Sequence, residues 1–77
     1  PTTTIAFALP SSAFISLEIY DVLGQVVMSI PQSEYTSGRH TLNINAAALA
    51  GGVYIYRLIS LSAEGRQELQ KKFVLLK

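Results

Sequence analysis

Few residues in this chain could take part in catalysis or metal binding, and they are scattered along it. His40 is the only histidine, and cysteine is absent. The carboxylates stand at five positions, with no pair at a motif spacing: Glu18, Asp21, Glu34, Glu64 and Glu68. A catalytic His40 would need a nucleophile or a carboxylate close in space, and a metal site would need more nitrogen or oxygen ligands. We therefore interpret His40 as a structural or surface residue, and we predict no catalytic residue, no metal site and no cofactor.

The stretch AALAGGVYIYRL could instead belong to a ligand site. Two glycines, Gly51 and Gly52, are too few to cradle a phosphate, and no helix follows them to offer its N-terminus. Tyr54 and Tyr56 would lie on one face of a strand because they are two positions apart. A sugar-binding platform often uses exposed tryptophan, which this chain lacks. We favour tyrosine rings packed in or beside the core, with hydroxyls that reach backbone groups at its rim.

The composition predicts one small domain, covering residues 1–77. The net charge of +1 is too small to indicate binding to nucleic acid or to an anionic membrane. No apolar run approaches the ~20 residues that cross a bilayer as a helix, and we identify no signal peptide. The opening Pro1-Thr2-Thr3-Thr4 is typical of the middle of a longer sequence, so we expect a domain excised from a larger secreted protein.

Alternation of apolar and polar residues with a period of two predicts β-strands along most of the chain. The predicted strands are residues 5–9, 15–19, 25–30, 41–45, 53–61 and 67–76. We expect Pro10 and Pro31 to end the first and third strands, and residues 32–39 to form a loop or a ragged edge strand. The strand at 53–61 is apolar on both faces, so it is either covered on both sides or exposes an apolar patch. The sequence leaves both alternatives open.

The connections between these strands carry turn residues. Asp21 and Gly24 suit the first and fourth positions of a type I turn. Residues 46–50 are too short for a helix and predict a bridging turn whose Leu49 enters the core. Gly52 is expected where a side chain would be costly, and residues 62–66 are expected to form a hairpin loop.

Six or seven short strands at spacings near ten residues predict an all-β fold, a small antiparallel immunoglobulin-like β-sandwich. No helix long enough for a crossover is predicted, which argues against an α/β fold. From the residues alone, the chain is an accessory module without visible catalysis.

A family resemblance is carried by four stretches that occur in a fixed order. They are PTTTIAFALP, LEIYDVLGQVV, SGRHTLNINAAALAGGVYIYRL and the closing KKFVLLK. The chain resembles the C-terminal sorting domain of the type IX secretion system in its immunoglobulin-like form. It is also similar to the immunoglobulin-like domain of the flagellar hook-cap protein. The resemblance covers essentially the whole chain.

The resemblance implies a non-catalytic domain at the C-terminus of an exported protein of the Bacteroidetes group or its relatives. The cargo, linked in cis, would pass through the periplasm and the outer-membrane secretion machinery to the cell surface or the medium. A sortase-like peptidase would commonly remove the domain. Members usually carry an Asn-Pro-rich segment before the threonine run, of which only Pro1 stands here, so the cleavage site is expected to lie outside this chain.

The resemblance also implies site residues. Gly38 and His40 match a Gly-x-His element of the family, while Gly52, Tyr54 and Leu58 match its Gly-x-Tyr-containing strand. The terminal basic-then-apolar segment of the family is matched by three residues that we predict to carry the export signal: Lys72, Val74 and Leu76.

Two other functions stay open from the sequence. The chain could be a carbohydrate-binding accessory module of a secreted glycosidase, using Tyr54 or Tyr56. It could also be a structural immunoglobulin-like domain inside an extracellular assembly. Because the last strand follows a short hairpin loop and ends the chain, either a monomer or a strand-swapped dimer is predicted.

Overall fold

The computed structural model describes residues 2–76, and Pro1 and Lys77 lie outside the described residues. Those residues form six strands and no helix. The strands are β1 (Thr2–Leu9), β2 (Ala13–Tyr20), β3 (Val26–Tyr35), β4 (Gly38–Asn45), β5 (Gly52–Ser62) and β6 (Gly65–Leu75).

The strands make two antiparallel sheets that face each other. The small sheet pairs β1 with β4, and the large sheet has the order β3-β2-β5-β6. The fold class predicted from the alternation, a small all-β sandwich, is thereby confirmed, with six strands. β5 lies inside the large sheet, between β2 and β6.

The core lies between the sheets and is filled by every second residue of the strands. In β2, Ile15, Leu17 and Ile19 are almost fully buried, whereas the residues between them are partly exposed. This follows from the pleat, which points successive side chains to opposite faces. The buried apolar residues of the described chain are Ile5, Ala13, Ile15, Leu17, Ile19, Leu42, Ile44, Ala46, Leu49, Tyr54, Leu58 and Leu75.

The prediction that Pro31 ends the third strand is wrong. β3 continues to Tyr35, and its register against β2 shifts between the pairs Leu17–Ile30 and Ile15–Ser33. Two residues of β3, Pro31 and Gln32, therefore stand opposite the single residue Ser16. Proline is tolerated there because β3 is an edge strand and a bulge needs no ladder hydrogen bond from it.

Several other predicted boundaries also move. β1 begins at Thr2 instead of Ile5, and β4 begins at Gly38 instead of Thr41, because the two strands pair without interruption from Thr2–Asn45 to Leu9–Gly38. The predicted loop at residues 62–66 tightens to a two-residue turn, since Ser62 pairs with Gly65. β6 ends at Leu75.

The predicted turns at residues 21–24 and 46–50 are confirmed. The amide of Gly24 donates to the carbonyl of Asp21 over 3.0 Å, and the Asp21 carboxylate accepts from the amides of Leu23 and Gln25. Gly24 has a φ of 83°, which favours glycine. In the alanine-rich bridge, the amide of Leu49 donates to the carbonyl of Ala46, and the Leu49 side chain is buried.

Candidate functional site

The three residues predicted to carry the export signal lie on the outer side of the large sheet. Lys72 and Val74 belong to β6, and Leu76 follows its end. All three are exposed, Val74 by 56% and Leu76 by 84%. The intervening Phe73 and Leu75 point inward, where Leu75 is buried and Phe73 packs against the core. Phe73 and Leu75 therefore hold this segment against the core, whereas Lys72, Val74 and Leu76 face the solvent.

The neighbouring strand extends this display. Val53 of β5 stands opposite Val74, and Ile55 stands opposite Lys72. Both β5 side chains are 40% exposed. We call the set Val53, Ile55, Lys72, Val74 and Leu76 the terminal apolar surface. Of the two alternatives that the sequence left open for β5, the structure therefore selects an exposed apolar patch.

The β2–β3 turn adds aliphatic side chains at the same end of the large sheet. Tyr20, the last residue of β2, pairs with both Ile55 and Val26, so the turn that follows it lies beside the terminal apolar surface. Val22 and Leu23 in this turn are 74% and 80% exposed, and Val26 is half exposed. Sequence reasoning missed these residues and those of β5, because strand register determines which aliphatics become neighbours.

A charged cluster occupies the middle of the same outer face. Arg57 Nη2 lies 2.7 Å from Glu18 Oε1 and donates to the Tyr20 hydroxyl over 2.6 Å. The Tyr20 hydroxyl donates to Glu18 Oε1, and Arg57 Nη1 lies 3.2 Å from Glu68 Oε1. The guanidinium also lies over the Tyr20 ring, 5.4 Å from its centroid, as in a cation–π contact. We call Arg57, Glu18, Tyr20 and Glu68 the Arg57 cluster. Their mutual contacts make it a structural feature of the sheet.

Acid is expected to weaken the fold through this cluster. The Arg57 guanidinium, and secondarily the Tyr20 hydroxyl, hold the pKa of Glu18 below its ordinary value of 4.5. Because the folded pKa lies below the unfolded one, Glu18 contributes its full stabilisation above the unfolded value and loses it as the pH falls through the folded pKa. We expect Glu18→Gln to lower the melting temperature at neutral pH and to flatten its decline on acidification.

Thermal melts at pH values from 7 to about 3 would measure this dependence. Some decline should persist in Glu18→Gln, since the Ser62 hydroxyl and further hydrogen bonds also lower the pKa of Glu64. Glu34→Gln, at an exposed position of β3, controls for the loss of one carboxylate. Equal flattening in both variants would contradict the role of the Arg57 cluster.

The Gly-x-His element lies where β4 of the small sheet packs against β3 of the large sheet. Gly38 has a φ of 117°, a conformation that favours glycine, and it begins β4. The His40 ring stacks on Phe7 with centroids 5.6 Å apart and meets the edge of Tyr35 at 5.1 Å. His40 Nε2 lies 2.7 Å from the Thr36 carbonyl oxygen. These contacts favour the structural interpretation of His40.

The residues matched to the Gly-x-Tyr-containing strand serve the core. Tyr54 and Leu58 are buried, and the Tyr54 hydroxyl donates to the Ala50 carbonyl over 2.6 Å. Tyr56 also faces inward and packs against Phe73. The predicted packing of Tyr54, with its hydroxyl on the backbone, is therefore confirmed, and the two rings form no exposed platform for a sugar. Gly52 has a φ of 156°, a conformation that L side chains rarely adopt, so the expectation that a side chain would be costly there is confirmed. The cost comes from the backbone alone, since the space where a Cβ would stand is open.

Within residues 2–76, no group of three or more His, Asp or Glu side chains is arranged to hold a metal ion. Over the same range, no helix has the length and apolar character needed to cross a membrane.

Comparison with known proteins gives one family. A family model described as "Secretion system C-terminal sorting domain" matches residues 1–76. No curated protein and no solved structure matches the chain.

Proposed function

Because the chain belongs to the type IX secretion C-terminal sorting domain family, we propose that it directs a cargo protein, linked to it in cis, across the bacterial outer membrane. The family makes it a sorting signal of a secreted protein that reaches the cell surface or the extracellular space. The finer steps of the proposal are transit through the periplasm, recognition by the outer-membrane machinery and removal by a sortase-like peptidase. The domain itself catalyses no reaction.

The observation that carries this proposal is the position of the terminal apolar surface. Exposed patches of aliphatic side chains on a small soluble domain mark interaction sites, because leaving them in water is unfavourable. Here Val74 and Leu76, which match the family's terminal segment, are continuous with Val53 of the neighbouring strand. A receptor could therefore read two strands of a folded sheet together.

The proposed receptor would recognise a folded strand and not an unstructured C-terminal segment. β6 pairs with β5 over eleven residues, from Ser62–Gly65 to Gly52–Leu75. Phe73 stacks on Tyr54 with ring centroids 5.6 Å apart, which fixes the strand close to its end. A strand-swapped dimer would have to open this ladder, and the oligomeric state stays a prediction.

The proposal predicts loss of export when the outer residues of the terminal strand are replaced. The test is a fusion of the chain to a periplasmic reporter in a host with the type IX machinery. The variant Lys72→Gln/Val74→Ser/Leu76→Ser should leave the reporter in the periplasm, since these exposed side chains meet the receptor. It should melt close to the temperature of the original domain, since none of the three lies in the core.

The opposite end of the same face offers a matched control. Phe14 and Leu61 are paired across β2 and β5 and are 45% and 36% exposed, and Arg66 of β6 stands opposite Leu61. The variant Phe14→Ser/Leu61→Ser/Arg66→Gln also removes one cation and two apolar side chains, and it should be exported. Export of both variants at the original level would overturn recognition through the terminal apolar surface. Retention of both would show that the signal is not confined to it.

A further inference from the structure

The two sheets of the sandwich differ in width, and this leaves part of the inner face of the large sheet uncovered. In the described residues, β1 pairs with β4 on one side only, and its other edge has no strand. Beside that edge lies a groove of about 490 Å³, lined by β1 residues from Ala6 to Leu9 and by inward residues of β5 and β6. Its lining includes Leu58 and Leu69, and Leu69 is 44% exposed although it points inward.

The free edge of β1 lacks the features that usually prevent strand addition. Edge strands are commonly protected by charged residues, proline or bulges. β3 has Pro31 and two register shifts, β4 has Arg39, and β6 has four charged residues, Arg66, Glu68, Lys71 and Lys72. β1 is eight residues long, has no charged residue and no proline, and keeps an unbroken register with β4.

The small side chains of β1 also leave its edge accessible. Ala6 and Ala8 alternate with Phe7 and Leu9, and both alanines line the groove. Only an extended polypeptide can pair with a row of backbone amides and carbonyls of this length. The ligand that fits this edge is therefore a strand.

We propose that the free edge of β1 binds an extended, uncharged segment of another polypeptide as a third strand of the small sheet. Its residues would alternate, with apolar side chains at every second position to fill the groove over Leu58 and Leu69. A second folded copy fits poorly on steric grounds. The pairing strand of such a copy would carry a second sheet packed against it, and that sheet would collide with β6, which lines the bottom of the groove. The proposed partner is an unfolded segment.

One end of the groove is closed, which sets where such a segment must stop. The Ser11 hydroxyl lies 3.1 and 3.2 Å from the two carboxylate oxygens of Glu64, and the Ser62 hydroxyl donates to the same carboxylate. These bonds join the β1–β2 connection to the β5–β6 turn, just beyond Leu9. The carboxylate of Glu68, which also belongs to the lining residues, is held by Arg57 on the outer face. Glu68 is already paired with Arg57, and Glu64 lies at the closed end, beyond the stretch that would pair with β1. No unpaired carboxylate of the lining therefore lies along that stretch, and the proposed segment is uncharged.

The test adds a strand to the chain itself. The sequence Thr-Val-Thr-Val-Thr-Val-Thr, joined by a short Gly/Ser linker in front of Pro1, could fold back antiparallel to β1 at a high effective concentration. Amide hydrogen exchange should slow by at least about tenfold at alternate residues of β1. The same extension with proline in place of each valine lacks the N–H groups of the valines, and its fixed φ disfavours the strand conformation. It should therefore not pair with β1 and should give no protection.

Two variants of β6 separate the groove from the outer face. Leu69→Gln places a polar group on the groove floor and should reduce the protection, whereas Val74→Gln changes the opposite face and should preserve it. Equal exchange rates in the valine and proline extensions would overturn the proposal. Protection that appears on β3, β4 or β6 instead of β1 would also overturn it.

Discussion

Replacing Ile19 by alanine is expected to remove a large share of the domain's stability. Ile19 is fully buried in the middle of the large sheet. Truncating a buried isoleucine to alanine costs about 2–5 kcal/mol, because apolar contacts are lost and a cavity remains. Small domains have total stabilities of about 5–15 kcal/mol, and short chains lie near the lower end. We expect a large fall in the free energy of unfolding, measured by urea denaturation followed by circular dichroism.

Ile55 provides a matched control for Ile19. The two residues belong to neighbouring strands, but Ile55 lies on the outer face and is 40% exposed. Ile55→Ala makes the same chemical change and should cost less than about 1.5 kcal/mol, since much of the side chain is already in water. Similar losses at both positions would contradict the inward and outward assignment of the faces.

Tyr54→Ala is expected to have the second large effect. The ring is 7% exposed, stacks on Phe73 and carries a hydroxyl that donates to the Ala50 carbonyl. Its removal should cost about 3–5 kcal/mol, as for other buried aromatic rings. Tyr54→Phe keeps the ring and removes only the hydrogen bond, so it should cost about 1 kcal/mol. Thermal or urea unfolding of both variants measures the difference.

These two variants also separate packing from sugar binding. A tyrosine that served as an exposed sugar platform would lose ligand binding on mutation to alanine while the domain kept its stability. An unchanged midpoint of unfolding for Tyr54→Ala would therefore contradict the packing seen here and restore the carbohydrate-binding alternative.

Much of the fold could be predicted because alternation depends only on local sequence. The inward set of β2, Ile15, Leu17 and Ile19, follows directly from a period of two. The continuation of β3 beyond Pro31 could not be predicted, because proline normally ends a strand. Whether it does depends on the position of the strand at a sheet edge and on a bulge against β2.

The candidate site was only partly predictable, because it depends on contacts between strands and not only on the sequence within one strand. Lys72, Val74 and Leu76 came from a family resemblance in one segment. Their neighbours Val53 and Ile55 depend on cross-strand register, which the sequence of one strand does not specify. A lone arginine among the apolar residues of β5 was a usable sign that an acidic partner lies across the sheet, and Glu18 and Glu68 are those partners.

The pairing order of the strands has a consequence for how the domain acquires its structure in time. β5 and β6 are adjacent in sequence and join through a two-residue turn, so this hairpin can form within about 1–10 μs. β1 must find β4, with partners as distant as Thr2 and Asn45. Such non-local closure is slow, because the entropy of bringing distant segments together is lost before contacts compensate for it. The hairpin that bears Val53 and Val74 is therefore expected to form before the two sheets come together. At that stage β1 has not yet paired with β4.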